Sequence, residues 1–439
     1  MSGIDVGLIS VIAILVLIYA GMYVPVALGL VSFVAVWFLR DSVDAPVYLV
    51  TLAASNSLED YVFGVVPLFV LMGLLVSHSQ MGRDIYQVAH YLLGGVRGGL
   101  GVATVAANAA FAAITGVSIA SASVFARVAV PEMMRFGYKP RFAVGVVAGS
   151  SVLGMLIPPS VMLIIYAIIT EQSVAALFKA GIIPGIMLAL AYIVAIVVMA
   201  TLFPDYVGGQ AAKDGADAEE RKLNRGELVS KTAPLVTLVL LVLGGIYGGV
   251  FTPTEAGAVG ALGALIISIL KRRLDRTVLW QVLVETGHIV ASILMLIVAA
   301  TMYSRMLGIS GLPNELGEWI NQADIGLYGI LTIYVLLLIV LGTILDTTSI
   351  ILIMVPLFLP VVMPHGVDLV WFGIVTIVGA EIGLLTLPLG ISCYVIKSTL
   401  ADDRIGLYDI FAGAFPFAVI MLLVLILLIA FPSLSLMLV

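Results

Sequence analysis

The sequence predicts an all-α polytopic membrane protein: two inverted-topology repeats, about ten spanning helices, two re-entrant hairpins and a broken helix in each half. Three observations carry that expectation. Of 439 residues, 62% are hydrophobic and 10% charged, against about a quarter charged in soluble domains. Apolar runs long enough to span a membrane, roughly 17–25 residues, recur along the whole chain. Glycines and prolines of the first half also return in the second half at a nearly constant spacing.

The apolar runs are continuous rather than alternating, which selects helices over a closed barrel as the way to satisfy backbone groups in lipid. The first run has no basic leader and no small-residue cleavage site before the next span, so it is expected to be a retained helix. A single cysteine, Cys393, rules out an internal disulfide framework. His78, His90, His288 and His365 show no metal-ligand spacing. No G-x-x-x-x-G-K-[ST] string occurs, so ATP hydrolysis within the chain is not expected. Nor is an enzyme or a bound cofactor, since no paired catalytic carboxylates, metal cluster or activated nucleophile emerges.

The longest polar stretch, residues 205–231, carries Lys213, Arg221, Lys222, Arg225 and Lys231 among several acids, and is expected to link a first repeat, 1–204, to a second, 232–439. IYAGMYVP at 18–25 reappears as IYGGVFTP at 246–253, so Pro25 and Pro253 stand 228 apart, as do Gly29 and Gly257. Pro131 with Pro360, Gly154 with Gly383 and Pro159 with Pro388 each stand 229 apart, and AGIIP at 180–184 is answered by AGAFP at 412–416. Glycine and proline make special backbone demands, so collinear matches of these residues point beyond shared hydrophobicity.

Basic residues set the orientation. Arg135, Lys139 and Arg141 cluster in the first half, Lys271, Arg272, Arg273 and Arg276 in the second, and the linker is basic too. All three regions are expected in the cytoplasm. Met363 to Asp368, the counterpart of the 135–141 loop, has no Lys or Arg and is expected outside. That change of side makes the repeats inverted and requires an odd number of crossings in each, about five. They are expected near 5–22, 24–39, 60–80, 140–170 and 175–203, then 232–250, 254–270, 281–309, 367–399 and 410–432, with both termini outside.

Residues 97–134 and 326–362 do not fit as single spans, because ITGVSIASAS at 114–123 and ILDTTS at 344–349 put small and polar residues in their middles. Each reads as two half-length helices joined at membrane depth, where irregular backbone must line a protein-enclosed or water-filled site. In the first half the tip residues Gly116, Ser118 and Ser121 can meet a helix interrupted at GSSVLGMLIPPS, 149–160. There Pro158 and Pro159 remove backbone donors, and the hydroxyls of Ser150 or Ser151, with carbonyls freed near Gly154, offer hard oxygens to a cation such as sodium. In the second half Asp346, Thr347 and Thr348 face EIGLLTLPLG, 381–390, with Glu381, Gly383, Thr386 and Pro388 at the break. Ordinary small-residue packing competes for each hydroxyl taken singly; the duplicated arrangement favours sites. An intramembrane carboxylate such as Asp346 or Glu381 is costly and functional by default.

Arg127, Arg305 and Lys397 fall near predicted span ends and are expected to snorkel to the interface rather than bind an anion. Two amphipathic stripes, Ile85, Val88, Ala89 and Leu92, and Leu312, Leu316, Trp319 and Ile320, are expected at the membrane interface, as anchors or as arms joining a moving unit to a fixed one.

Several strings together resemble the large membrane subunits of tripartite ATP-independent periplasmic (TRAP) transporters: YGGVFTPTEAGAV at 247–259, PLFVLMG at 67–73, LGMLIPPS at 153–160, AGIIPG at 180–185 and MVPLFLPVV at 354–362. The resemblance covers essentially the whole chain. It implies an elevator-type symporter of the bacterial inner membrane, in which a unit bearing both hairpins and the sodium sites slides against a scaffold. It also implies two separate partner chains, a small membrane subunit of about four helices and a periplasmic substrate-binding protein delivering a small organic anion. The first tip reads GVS, with Val117 where family members often have serine, and the second break reads TLP, with Leu387 where many have proline. A divalent-anion/sodium symporter without a binding protein and a channel are the competing readings.

Overall fold

The computed structural model describes residues 2–59, 61–208, 223–323, 325–388 and 390–439. The described residues are helices and short connections, and the chain is an all-α membrane protein with broken helices. The first half runs through α1 (Gly3–Tyr19), α2 (Val24–Arg40), α3 (Asp44–Glu59), α4 (Val65–His78) and α5 (Met81–Leu93). The pair α6 (Gly99–Thr115) and α7 (Ser118–Arg135) follows, then α8 (Pro140–Ser151), α9 (Leu153–Leu156), α10 (Val161–Thr170), α11 (Val174–Leu202) and α12 (Pro204–Val207). The second half has α13 (Arg225–Tyr247), α14 (Pro253–Leu270), α15 (Arg276–Ser310), α16 (Leu312–Gln322), the pair α17 (Leu327–Gly342) and α18 (Thr347–Val362), α19 (Leu369–Leu384), α20 (Ile391–Leu400), α21 (Leu407–Ala430) and α22 (Ser433–Leu436). Of the expected linker, Lys213, Arg221 and Lys222 lie outside the described residues, and Arg225 and Lys231 belong to α13.

Local chemistry explains where these helices start. In the FTPTE string, Thr252 Oγ1 accepts from the Glu255 amide at 3.3 Å and Glu255 Oε2 accepts from the Thr252 amide at 2.8 Å. Pro253 occupies the first helical position, where its missing donor is not needed. Side chains of Ser160, Ser173, Asp346 and Asp368 cap α10, α11, α18 and α19 in the same manner.

Among the described residues, six helical segments are long and apolar enough to cross a membrane alone: α11, α13, α14, α15, α21, and α18 taken together with the 3-10 turn that extends it to His365. Two bent pairs qualify jointly: α4 with α5 at 64°, and α8–α9 with α10 at 41°. This is fewer than the ten or so read from the sequence because α1 and α2 have 17 residues and α19 has 16. At 1.5 Å per residue they measure about 24–26 Å, short of a ~30 Å core without their flanks. Helix α3 has no counterpart among the expected spans. The hairpins at 97–134 and 326–362 form, but their legs of 16–18 residues are about 24–27 Å long, well beyond half-length.

The two halves interlock through matched contacts. Helix α4 packs on α14 and α2 on α15; α8 packs on α21 and α11 on α19; α7 meets α20 and α10 meets α18; α5 touches α13 and α1 touches α16. The expected interfacial stripe on α5 faces protein instead: Ile85, Val88 and Ala89 are buried, and only Leu92 is exposed. Buried Asp84 draws the helix inward by pairing with Lys271 Nζ at 2.6 Å and Arg273 Nη1 at 3.0 Å, while Arg273 also donates to the Ser79 carbonyl at 2.9 Å. On α16, Leu312 is buried and Trp319 exposed.

The closest approach is between α8 and α21. A Cβ on Gly413 would strike the carbonyl oxygen of Arg141, and one on Gly145 would strike the Gly413 backbone. Small residues let helix backbones touch where no hydrophobic gain drives association in lipid. Gly413→Ala should therefore destabilise by about 1–3 kcal/mol or more, read as a lowered melting temperature and folded yield in detergent. Gly244→Ala, where a methyl would meet nothing within 4 Å, should leave both unchanged.

Candidate functional site

Each hairpin tip sits on the break of the following helix. Helix α6 ends at Gly116 with φ +62°, a conformation that favours glycine. A Cβ there would also strike the Pro159 carbonyl oxygen. The Gly116 carbonyl accepts from the amide of Val161, the first residue of α10, at 3.2 Å. Across the contact, a Cβ on Gly154 would lie 3.1 Å from the Val117 carbonyl. The expected residues Gly116, Ser118 and Gly154 are thus brought directly together, with Pro158 at the break where it cannot donate to the preceding turn.

The oxygens at this tip differ in their commitments. Ser118 and Ser121 are fully buried on α7, and neither hydroxyl has a hydrogen-bond partner among the described residues. Ser151 Oγ donates to the Ala148 carbonyl at 2.8 Å. Ser150 Oγ donates to the Val146 carbonyl at 2.7 Å and accepts from Asn108 Nδ2 at 2.5 Å. Asn108, on the first hairpin leg, escaped the sequence reading. Its Oδ1 is buried without a partner among the described residues, and a lone amide in an apolar leg was the signal available.

At the second tip, Gly342 and Gly383 face each other: a Cβ on Gly342 would lie 2.8 Å from Gly383 Cα, and one on Gly383 would lie 2.7 Å from the Ile339 carbonyl oxygen. Thr347 Oγ1 donates to Glu381 Oε1 at 2.6 Å. Glu381 is only 1% exposed, and its Oε2 has no partner among the described residues. Asp346 caps α18 by accepting from the Ser349 amide at 3.2 Å and from the Ser349 hydroxyl. Thr348 Oγ1 reaches Met162 Sδ on α10 at 3.5 Å, so this tip touches the other half. Thr386 Oγ1 bonds back to the Gly383 carbonyl at 2.9 Å and is partly buried, whereas Pro388 is exposed and lies outside the enclosed cluster. Ser392, on α20, is a further buried hydroxyl without a partner among the described residues, and it was not anticipated.

Both tips open on one cavity of about 1470 Å³, lined by Val117 and Ser118 from the first, Asp346, Thr347 and Thr348 from the second, and Ser392. That exceeds the roughly 300–1,000 Å³ of ordinary small-molecule sites, leaving room for a small organic molecule and water. Arg127, expected to snorkel, is exposed and lines this cavity. Lys397 Nζ donates to the carbonyls of Asp402 at 2.9 Å and Ile405 at 2.8 Å, so it ties down the loop after α20. Arg305 lies in a separate hollow with Arg40 and Tyr48.

The Thr347–Glu381 bond gives a direct test. Thr347→Val keeps the volume but strips the buried carboxyl of its partner, so it should destabilise by about 1–3 kcal/mol, whereas Thr347→Ser should not. Equal melting temperatures for the two variants would contradict this reading.

Residues 11–434 match the family described as "Tripartite ATP-independent periplasmic transporter, DctM component". A C4-dicarboxylate TRAP transporter large permease protein of Rhodobacter capsulatus is 31% identical over 96% of this chain and 96% of its own. A sialic acid TRAP transporter large permease protein of Vibrio cholerae is 30% identical over 98% of this chain and 97% of its own. Among solved structures, the YdaH transporter of Alcanivorax borkumensis shares the fold, with a TM-score of 0.56 at 15% identity over 90% of each chain.

Proposed function

The chain belongs to the DctM component family of tripartite ATP-independent periplasmic transporters and is a multi-pass large permease subunit of the bacterial inner membrane, and from that premise we propose that it imports a small organic anion in symport with sodium. Membership implies a small membrane subunit and a periplasmic binding protein as partners. The relatives are permeases rather than enzymes. The substrates in the relatives' names, C4-dicarboxylate and sialic acid, favour an anion here.

The observation that carries the sodium reading is the set of buried oxygens without a partner among the described residues at and beside the tips: Ser118 Oγ, Ser121 Oγ and Glu381 Oε2. Buried polar atoms are nearly always satisfied, so such a cluster calls for a missing partner. Hard oxygens in a protein-enclosed pocket suit a hard cation. The first sodium would be held by Ser118 and Ser121 with Ser150, Ser151 and carbonyls near Gly116, Gly154 and Pro158. The second would be held by Thr347 and Glu381 with Asp346, Thr348 and carbonyls near Gly383 and Thr386; Pro388, being exposed, is left out. The ion supplies positive charge that holds a tip on its break and so completes the wall of the substrate cavity. Cation and substrate then raise each other's affinity by the same factor.

The reciprocal contacts of α4–α14 with α2–α15 and of α8–α21 with α11–α19 support two inverted repeats, 1–204 and 232–439, joined by a cytoplasmic linker at 205–231. An elevator motion follows from the same reading: the unit carrying both tips moves as one body against the scaffold.

Two experiments test these proposals. A cysteine introduced at 366 should react with an impermeant reagent added outside right-side-out vesicles, and one at 138 should not; the reverse pattern contradicts inverted repeats. In proteoliposomes supplied with the small subunit and the loaded binding protein, Ser118→Ala and Asp346→Asn should each shift half-maximal uptake to several-fold higher sodium, with substrate affinity recovering as sodium is raised. Ser268→Ala, a buried hydroxyl on α14 bonded within its own helix, should behave as the parent. Unchanged sodium dependence in both site variants rejects the cation sites, and full uptake by the chain alone rejects the tripartite reading.

A further inference from the structure

The cavity continues from the hairpin tips along one face of α7, through Ser123 and Arg127 to Glu132. From Ser118 to Glu132 that path is about 21 Å. It ends just before the basic cluster at Arg135, Lys139 and Arg141, which the positive-inside rule assigns to the cytoplasm. The enclosed space therefore opens toward the side on which an imported substrate is released.

Two arginines on adjacent helices, Arg83 on α5 and Arg127 on α7, line that path. Helix α5 rests on α7 at Gly82, where a Cβ would lie 2.6 Å from Val124 Cγ1. Arg83 is the next residue on α5, and Arg127 is three residues beyond Val124 on α7, about one turn away. Both side chains are exposed and both line the cavity. Neither forms an ion pair with a described residue. The nearby acids have other neighbours: Asp84 pairs with Lys271 and Arg273, Glu132 lies 3.9 Å from Arg135, Glu285 lies 3.9 Å from His78 Nε2, and Asp346 caps α18. Two guanidinium groups without an ion-pair partner among the described residues thus line a largely apolar cavity whose carboxylates have other neighbours. A guanidinium presents a planar fork of donors matched to carboxylate or sulfonate.

We propose that Arg83 and Arg127 form an anion-binding site on the cavity wall, separate from the hairpin tips, which takes the carboxylate or sulfonate group of a small organic anion between the tips and the cytoplasmic mouth. The binding site rests on cavity geometry alone; only its place on the route rests on the transport reading. It gives the chain a charge filter that a neutral solute of the same size does not satisfy, and a landing point that draws an anion off the tips when the cation sites empty.

The test uses a reporter at Ser123, one helical turn before Arg127 on the cavity wall. The Ser123→Cys protein in nanodiscs is labelled with methanethiosulfonate reagents carrying a sulfonate or a trimethylammonium group. Buried Cys393 is retained, and the protein without the new cysteine supplies the background. The sulfonate reagent should react several-fold faster relative to the cationic one than it does with a free thiol, and millimolar succinate, but not chloride at equal ionic strength, should slow it. Adding Arg83→Gln with Arg127→Gln should abolish both effects, and the Arg→Lys pair should keep the reagent preference. If Ser123→Cys does not fold, Ile119→Cys, also on the wall, serves instead. The proposal is overturned if succinate does not protect the parent, if protection or preference survives in the glutamine pair, or if the lysine pair loses the preference too. None of these readouts needs sodium, partner chains or transport, so a negative result removes the arginine site and leaves the transport reading to its own experiments.

Discussion

A chain that stops being helical inside a membrane exposes amide and carbonyl groups where no water can serve them, so each must find a partner within the protein. Here the tip of a hairpin and the interruption of the next helix meet and compensate each other. The Gly116 carbonyl, released where α6 ends, takes the Val161 amide, released where the proline break ends. Glycine at 116 and 154, and again at 342 and 383, lets backbone approach backbone closely enough for this to happen. At the tips, hydrogen bonding among the described residues leaves over oxygen: two serine hydroxyls on α7 and a carboxylate oxygen of Glu381. The same constraint that holds the fold together thus produces the polar atoms available for chemistry.

The rest of the architecture keeps the two tips in register. Each half uses the other to cover its hairpin, since α7 packs on α20 and α10 on α18. Thr348 contacts Met162 across that boundary. The Asp84 pairing with Lys271 and Arg273 fastens α5 to the loop after α14. A movement of one tip would therefore carry the other with it, and with it both proposed cation sites, as a carrier in which ion and substrate cross together requires.

Much of this was legible in the sequence because glycine, proline and intramembrane polar residues have few uses. The hairpins, the breaks and the partners Thr347 and Glu381 followed from them. Span number was harder to read: α1, α2 and α19 are short enough that their crossing depends on flanking residues, and α3 carries too mixed a composition to announce itself. The stripe on α5 was amphipathic as read, but periodicity reports one apolar face without saying whether lipid or protein covers it, and Asp84 turned that face inward. Arg127 shows a related limit, since distance along a helix from its predicted end does not reveal a cavity beside it. Asn108 and Ser392 are single polar residues whose roles depend on packing across the chain.

The central claim is that a cation seats each hairpin tip on its break. Amide hydrogen exchange in nanodiscs, compared in sodium and in an equal concentration of choline, reads this most directly. Sodium should slow exchange across both tips, residues 114–121 and 343–350, and across the Val161 amide, while leaving the α13–α14 region unchanged. Identical exchange at both tips in the two salts would contradict the account.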